Sequence, residues 1–237
     1  MDEEYITKTL AKGPHDLLRY LFFLILVRPL MLIIMGMNVR NADRLPDTGP
    51  AVVVANHNSH LDTLAVMTLI GMHRLHLVRP VAAADYFLKT KWRAWFSIRI
   101  LGIIPLDRGA KQGDKTSGAK RGERTHPLAP IEAALDANEI VLLFPEGTRG
   151  SPEQTQPLQP GIAHLAKRRP HVSLTPLFMH GLGKALPRGE GLLVPFICDI
   201  YVGDAVHWPG DKKALMQELQ SAMDSLERDS HRPEFIC

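Results

Sequence analysis

The chain has 237 residues, 45% of them apolar, which is enough for one α/β domain with a full core and too apolar for a chain disordered throughout. Its 28 Lys and Arg against 25 Asp and Glu leave a formal charge of +3, which fits an anionic surface or substrate and makes no demand for nucleic acid. Two cysteines, Cys198 and Cys237, exclude a disulfide framework and lean towards a reducing compartment.

Residues 21–27 and 30–37 are two apolar runs separated by Arg28-Pro29. A span needs about 20 apolar residues, a mid-bilayer Arg costs at least roughly 2.5 kcal/mol, and Pro29 disrupts a helix interior. The segment is therefore predicted as a membrane-associated helical hairpin, two short pieces inserted into one leaflet with Arg28 snorkelling to headgroups. Lys8, Lys12, Arg19 and Arg40 read as basic flanks for anionic lipid. The acidic start Met1-Asp2-Glu3-Glu4, with no small-x-small cleavage site after it, argues against a signal peptide. The competing reading is a core helix wrapping the domain. Residues 1–44 are thus set apart as an attachment segment from an α/β domain at 45–237, and deleting residues 1–37 is expected to release the chain from membranes. Residues 38–49 read as a polar connector with a turn at Pro46-Asp47-Thr48-Gly49.

Ala51-Val52-Val53-Val54-Ala55 has the continuous apolar character of a strand buried on both faces. It runs into Asn56-His57-Asn58-Ser59-His60-Leu61-Asp62, where Ser59 and Asp62 form a capping-box signature ahead of an apolar helix at 63–70. His57 therefore stands at a strand exit before a helix N-terminus, the end of an open sheet where ligands bind. An imidazole titrates near pH ~6.5, so much of it is free base at neutral pH. Asp62 can fold back onto the ring, fix its tautomer and leave the other nitrogen to the cleft. A His–Asp pair with no nucleophile of its own suits deprotonation of a substrate hydroxyl. Three plainer readings stand beside it: Asp62 as a cap alone, His57 as a turn residue, and His57, His60 and Asp62 as metal ligands at a spacing that matches no familiar metal site.

A second strand is expected at 74–84, then Asp85 as a helix N-cap and a helix over 86–99 whose aromatic and basic residues read first as a solvated amphipathic face, with bilayer contact as the alternative. Residues 102–109 form a short strand and turn that puts Arg108 at a strand end, suited to bidentate phosphate capture or to a plain ion pair with Asp107. Residues 110–126 read as a basic surface loop, and 127–138 as a helix. The buried strand 140–144 delivers Pro145-Glu146-Gly147-Thr148-Arg149-Gly150, a turn with donors, an acceptor and close backbone approach, either an anion-and-hydroxyl cradle or an ordinary loop. A short helix follows Gln159-Pro160-Gly161 and ends in Lys167-Arg168-Arg169, cations that match its dipole. Strands are expected at 172–180 and 192–202, with Pro176 and Pro195 marking edges or strand ends. A final helix at 211–228 carries the stripe Leu215, Leu219, Met223 and Leu226, and the tail after it is expected to fray. The fold class is α/β, a mixed and largely parallel sheet flanked by helices behind the N-terminal hairpin.

Asn56-His57-Asn58-Ser59-His60-Leu61-Asp62, Ile104-Pro105-Leu106-Asp107-Arg108-Gly109, Phe144-Pro145-Glu146-Gly147-Thr148-Arg149 and Leu174-Thr175-Pro176-Leu177-Phe178 together resemble the four motifs of the lysophosphatidate acyltransferase family, the glycerolipid acyltransferases with an N-H-x-x-x-x-D motif. The first and third motifs are the specific ones. Two departures stand out: Leu158-Gln159-Pro160-Gly161 lacks the Lys of a common Phe-Lys-x-Gly segment, and Pro105 is not the commonest residue of the second motif. The resemblance implies transfer of a fatty acyl group from acyl-CoA or acyl-carrier protein to the free hydroxyl of lysophosphatidate, giving phosphatidate, with no metal and no organic cofactor. It implies catalysis by His57 with Asp62. It also implies substrate binding by Asn56, Arg108, Glu146, Gly147, Thr148 and Arg149, and attachment to a membrane, expected at the cytoplasmic face of the cell membrane. Other acceptors (glycerol 3-phosphate, another lysophospholipid, an ornithine-type lipid), a non-catalytic lipid-binding protein and a metallohydrolase remain as competing functions.

Overall fold

The computed structural model describes residues 9, 14, 16–59, 61–87, 90–106, 126–147, 156–185 and 197–230. In chain order its main elements are α1 (Asp16–Ile34), β1 (Met37–Arg40), β2 (Ala51–Ala55), α2 (Asp62–Ile70), β3 (Val78–Ala83), α3 (Lys91–Arg99), β4 (Ile104–Leu106), α4 (Ala129–Asp136), β5 (Ile140–Leu143), α5 (Gly161–Arg168), β6 (Ser173–His180), β7 (Cys198–Val202) and α6 (Lys212–Ser230). The strands form one sheet in the order β1-β7-β6-β2-β5-β3-β4. Every pairing is parallel except β6 with β7, so β7 and β1 run against the rest.

The central strands are apolar on both faces because both faces are covered. Val53 and Ala55 point into the cluster built with α1 and α2, while Val52 and Val54 point into the one built with α4, α5 and α6. The α6 stripe Leu215, Leu219, Met223 and Leu226 is buried, as its spacing predicts. The cations ending α5 do more than match its dipole. Arg168 hydrogen-bonds both oxygens of Glu132, and Arg169 bonds both of Asp136 at 2.9 and 2.7 Å, stapling α5 to α4.

The expected hairpin is a correction. Asp16–Ile34 is one helix that runs through Arg28-Pro29. Around Pro29 it widens to π-type turns, with Arg28 N–H bonded to the Phe23 carbonyl and Met35 N–H to the Leu30 carbonyl at 3.0 Å. That register accommodates a residue with no N–H to give. The same widening explains the burial pattern, since Arg19, Phe23, Val27, Met31 and Met35, every fourth residue, are all at most 1% exposed. On a regular α-helix of 3.6 residues per turn that spacing drifts by about 40° per step, and wider turns take up the drift.

Arg19 is therefore not a lipid-facing flank. Its Nη2 donates to the Val78 carbonyl at 2.6 Å and to the Leu101 carbonyl at 3.3 Å, against the lower edge of the sheet. Burial and neighbouring Arg79 push its pKa down to about 10, so it stays charged at neutral pH. From there α1 climbs to the upper edge, where the Gly36 carbonyl accepts from Cys198 N–H at 2.9 Å. Because β1 pairs with β7 in the same sheet, residue 44 is no structural boundary and the polar connector expected at 38–49 contains a strand.

Three smaller expectations shift. β3 starts at Val78, behind a 3-10 turn at Leu75–Leu77. Asp85 sits inside a single helical turn, Ala84–Phe87, and Thr90 caps α3 by accepting from Arg93 N–H at 3.3 Å. Pro176 lies within the interior strand β6, not at an edge. It falls where the β6–β7 ladder breaks, between the Leu174–Val206 bridge and the Leu177–Val202 pair, and its ring packs so close to Gly203 that a Cβ there would meet it at 2.8 Å. Pro195 and most of residues 110–126 and 192–197 lie outside the described residues.

Candidate active site

The carboxyl ends of β2, β5 and β6 lie side by side at the upper rim. β2 releases His57 there, β5 releases Glu146, and β6 brings up Met179. His57 Nδ1 lies 2.9 Å from Asp62 Oδ2, with the imidazole 24% exposed and the carboxylate fully buried. The same oxygen accepts the backbone N–H groups of Asn58 at 2.6 Å and Ser59 at 2.7 Å. One half of the capping box is thus present. The other half is not, because Ser59 Oγ accepts from Leu61 N–H at 3.3 Å. Asp62 Oδ1 is buried with no hydrogen-bond partner among the described residues. Burial pushes the Asp62 pKa up, and the bonds from His57, Ser59 and Asn58 oppose that rise.

With Nδ1 held by the carboxylate, Nε2 is the ring nitrogen left to meet a substrate. Phe144 at the end of β5 stacks on the imidazole at 4.5 Å between ring centres and 26° between planes, and so restricts rotation of the ring. Sequence reasoning gave Phe144 a motif but no role. The signal was its position, directly ahead of the Pro145-Glu146-Gly147 turn.

Asn56 sits elsewhere than expected. Its side chain is fully buried, donating Nδ2–H to the Met179 carbonyl at 2.9 Å and accepting Met179 N–H at 2.7 Å. Both amide atoms are thereby engaged with β6, and full burial keeps the side chain from facing the cleft. Asn58 donates to the same carbonyl at 2.9 Å. Asn56 and Asn58 tie the turn to β6 on either side of His57, and the sequence reading missed Asn58.

Glu146 is 6% exposed. Its Oε1 accepts Gln156 N–H at 3.5 Å, and its Oε2 is buried with no partner among the described residues. Burial pushes its pKa up to about 7 against hydrogen bonds from the backbone N–H groups of Gln156 and His57, and the nearby Asp62 carboxylate adds to the rise. Gly147 has φ +74°, a left-handed conformation that explains a glycine there. Arg108, Thr148 and Arg149 lie outside the described residues, as does His60. Among the described residues no three His, Cys, Asp or Glu side chains converge to hold a metal ion.

The arrangement is an imidazole with one open nitrogen, a buried carboxylate behind it, and a second carboxyl in the neighbouring turn that burial holds above the usual carboxylate range. Known proteins resemble the chain as a whole to differing extents. The 1-acyl-sn-glycerol-3-phosphate acyltransferase alpha of Mus musculus is 28% identical over 197 residues, 81% of this chain and 63% of the relative. The lyso-ornithine lipid O-acyltransferase of Brucella abortus (strain 2308) is 24% identical over 191 residues, 79% of this chain and 62% of the relative. The chain thus spans under two thirds of the length of these relatives. The crystal structure of the 1-acyl-sn-glycerophosphate (LPA) acyltransferase PlsC from Thermotoga maritima matches with a TM-score of 0.67 at 17% identity, over 91% of this chain and 80% of that one, and shows a common fold. The family model described as Acyltransferase matches residues 36–180, from the entry to β1 through the last residue of β6. Since that stretch exceeds half the chain and holds His57, Asp62, Phe144 and Glu146, the chain belongs to the Acyltransferase family.

Proposed function

We propose that the chain transfers a fatty acyl group from an acyl thioester to the free hydroxyl of lysophosphatidate, giving phosphatidate. The observation that carries this reading is the His57–Asp62 contact of 2.9 Å, which directs Nε2 outward. His57 Nε2 takes the hydroxyl proton as the oxygen attacks the thioester carbonyl. The thiolate leaves as the tetrahedral intermediate collapses, and the imidazolium returns the proton to give the free thiol. No covalent acyl-enzyme is needed, in keeping with the burial of Ser59. General-base assistance of this kind contributes roughly 10²- to 10⁴-fold.

Asp62 orients the ring and offsets its charge. Asn56 and Asn58 hold the turn. Glu146 and Gly147, with Thr148 and Arg149, take the glycerol phosphate region, and Arg108 takes the phosphate. Acyl-CoA or acyl-carrier protein supplies the acyl group, with no metal or organic cofactor. The outer side of α1 attaches the chain to the cytoplasmic face of the cell membrane. The inner stripe of α1 belongs to the domain core, which supports a helix lying along the membrane surface over one crossing it. The name of the Brucella abortus relative supports an ornithine-type lipid as the competing acceptor.

The test is free-thiol release from acyl-CoA with lysophosphatidate, for wild type and His57→Ala. Release that needs both the acceptor and His57, with phosphatidate formed, supports the reading. Release without acceptor indicates a thioesterase. Release only with lyso-ornithine lipid reassigns the acceptor, and no release from either acyl-CoA or acyl-carrier protein removes the enzymatic reading.

A further inference from the structure

α3 carries Lys91, Arg93 and Arg99 and no acidic residue. Its buried positions are the small or aliphatic Ala94, Ser97 and Ile98. Of its two indoles, Trp95 is half-buried and Trp92 is placed outward, 69% exposed. A solvated amphipathic face, the first reading of this sequence, puts polar groups outward and indoles inward. Here one of the two indoles is outward.

Trp92 is not an isolated exposure. Its ring stacks on Phe96 at 5.5 Å and 9°, and Phe96 meets Phe22 of α1 edge-on at 5.3 Å and 88°. The aromatic contacts thus lead without a break from α3 to α1. The outer side of α1 is apolar along its length, with Leu17 at 65%, Ile25 at 69% and Ile33 at 79% exposure. Trp92 extends that surface sideways, and the exposed Lys91 and Arg93 border it with positive charge.

We propose that α3 is a second membrane footing. Trp92 enters the interfacial region of an anionic bilayer beside the outer face of α1, with Lys91 and Arg93 at the phosphate level. An amphipathic ring with a basic border suits that depth. The proposal rests on the reading that α1 lies on a membrane, and it adds what α1 alone does not supply. A single helix in the interface leaves the domain free to roll about the helix axis. A second contact beside the helix fixes the roll, and with it the height of the rim that holds His57.

The experiment uses the full chain with Trp92 as its sole indole, through Trp95→Phe and Trp208→Phe, mixed with phosphatidylcholine–phosphatidylglycerol vesicles. Co-sedimentation reports binding by the chain, and Trp92 emission with brominated acyl chains reports depth. The expected result is sedimentation with the vesicles, a blue shift and quenching by brominated lipid of about twofold or more. In the otherwise unchanged chain, Trp92→Ser is expected to weaken partitioning roughly tenfold, by the apolar area withdrawn from lipid. Sedimentation with Trp92 emission unshifted and unquenched overturns the proposal while leaving α1 as the anchor. Failure to sediment overturns the membrane reading of α1 and this footing with it. Should the two phenylalanine substitutions unfold the chain, the difference in emission between wild type and Trp92→Phe gives the same readout.

Discussion

Asp62→Asn separates the charge of the buried carboxylate from its geometry. In the wild type one oxygen, Oδ2, accepts from His57 Nδ1 and from the backbone N–H groups of Asn58 and Ser59 at 2.9, 2.6 and 2.7 Å. An Asn carbonyl placed there keeps all three acceptor contacts, with its NH₂ in the partnerless position of Oδ1. What disappears is the negative charge facing an imidazolium as the proton is taken. A hydrogen bond to a charged group is worth about 1.5–3 kcal/mol, which at 1.36 kcal/mol per tenfold is roughly 10- to 150-fold in kcat.

Asp62→Ala removes the acceptor as well. Two buried backbone N–H groups then go unpaired at about 1–3 kcal/mol each, so its stability falls with its activity. The assay is kcat from thiol release at saturating lysophosphatidate, alongside urea midpoints for both variants. An Asp62→Asn enzyme with kcat within about threefold of wild type, or an Asp62→Ala protein with an unchanged midpoint, refutes the reasoning.

Glu146 keeps its proton in the native state to about pH 7, whereas the unfolded chain loses it near 4.5. The native state binds more protons across that window, so the wild type loses stability as pH rises through it and Glu146→Gln does not. The shift is worth on the order of 3 kcal/mol, so the variant's stability advantage over wild type should open by about pH 8 and close by about pH 4; equal differences at both refute the burial argument. Arg19→Ala should lower stability by about 2 kcal/mol by stripping the Val78 and Leu101 carbonyls of a charged donor, and an unchanged urea midpoint would show that the contact to the sheet edge carries nothing. Phe144→Ala removes an aromatic contact worth about 0.5–1.5 kcal/mol, so kcat should fall roughly 2- to 10-fold with KM for lysophosphatidate unchanged. A raised KM would place Phe144 against the substrate instead.

Much of this site was legible because it depends on short-range pattern. The run Ala51–Ala55 has to be a buried strand, and a His released at its end with a carboxylate five residues on has a single short route back to the ring. What escaped was long-range. An Asn in a turn has the same chemistry whether it faces a ligand or a distant backbone, and only the neighbouring β6 shows that Asn56 meets Met179. Pro176 reads as an edge because its missing N–H demands a gap, and the gap turned out to lie inside the sheet, where β7 leaves the ladder. Arg19 reads as a surface cation unless its four-residue spacing from Phe23, Val27, Met31 and Met35 is noticed, and that spacing fits neither a regular helix nor a strand.

That spacing also decides how membrane attachment can be tested. Deleting residues 1–37 looked like a clean release of an appended anchor. The structure makes α1 part of the core, since Phe23, Val27, Met31 and Met35 fill the cluster that also holds Val53, Ala65, Val66 and Met179. Burying four such side chains stabilises by at most about 6–12 kcal/mol, comparable with the roughly 5–15 kcal/mol that holds a whole domain together. The deletion should unfold the chain, and its product should aggregate whether or not α1 touches lipid. The outward residues separate the two roles, because Ile25 and Ile33 are 69% and 79% exposed and lie off the buried stripe. Ile25→Ser with Ile33→Ser should leave the urea midpoint within about 0.5 kcal/mol of wild type, as surface changes do, and should strongly reduce vesicle co-sedimentation. Undiminished binding in a folded double variant would mean that α1 is a core helix alone, and the apolar surface it presents would then need another partner.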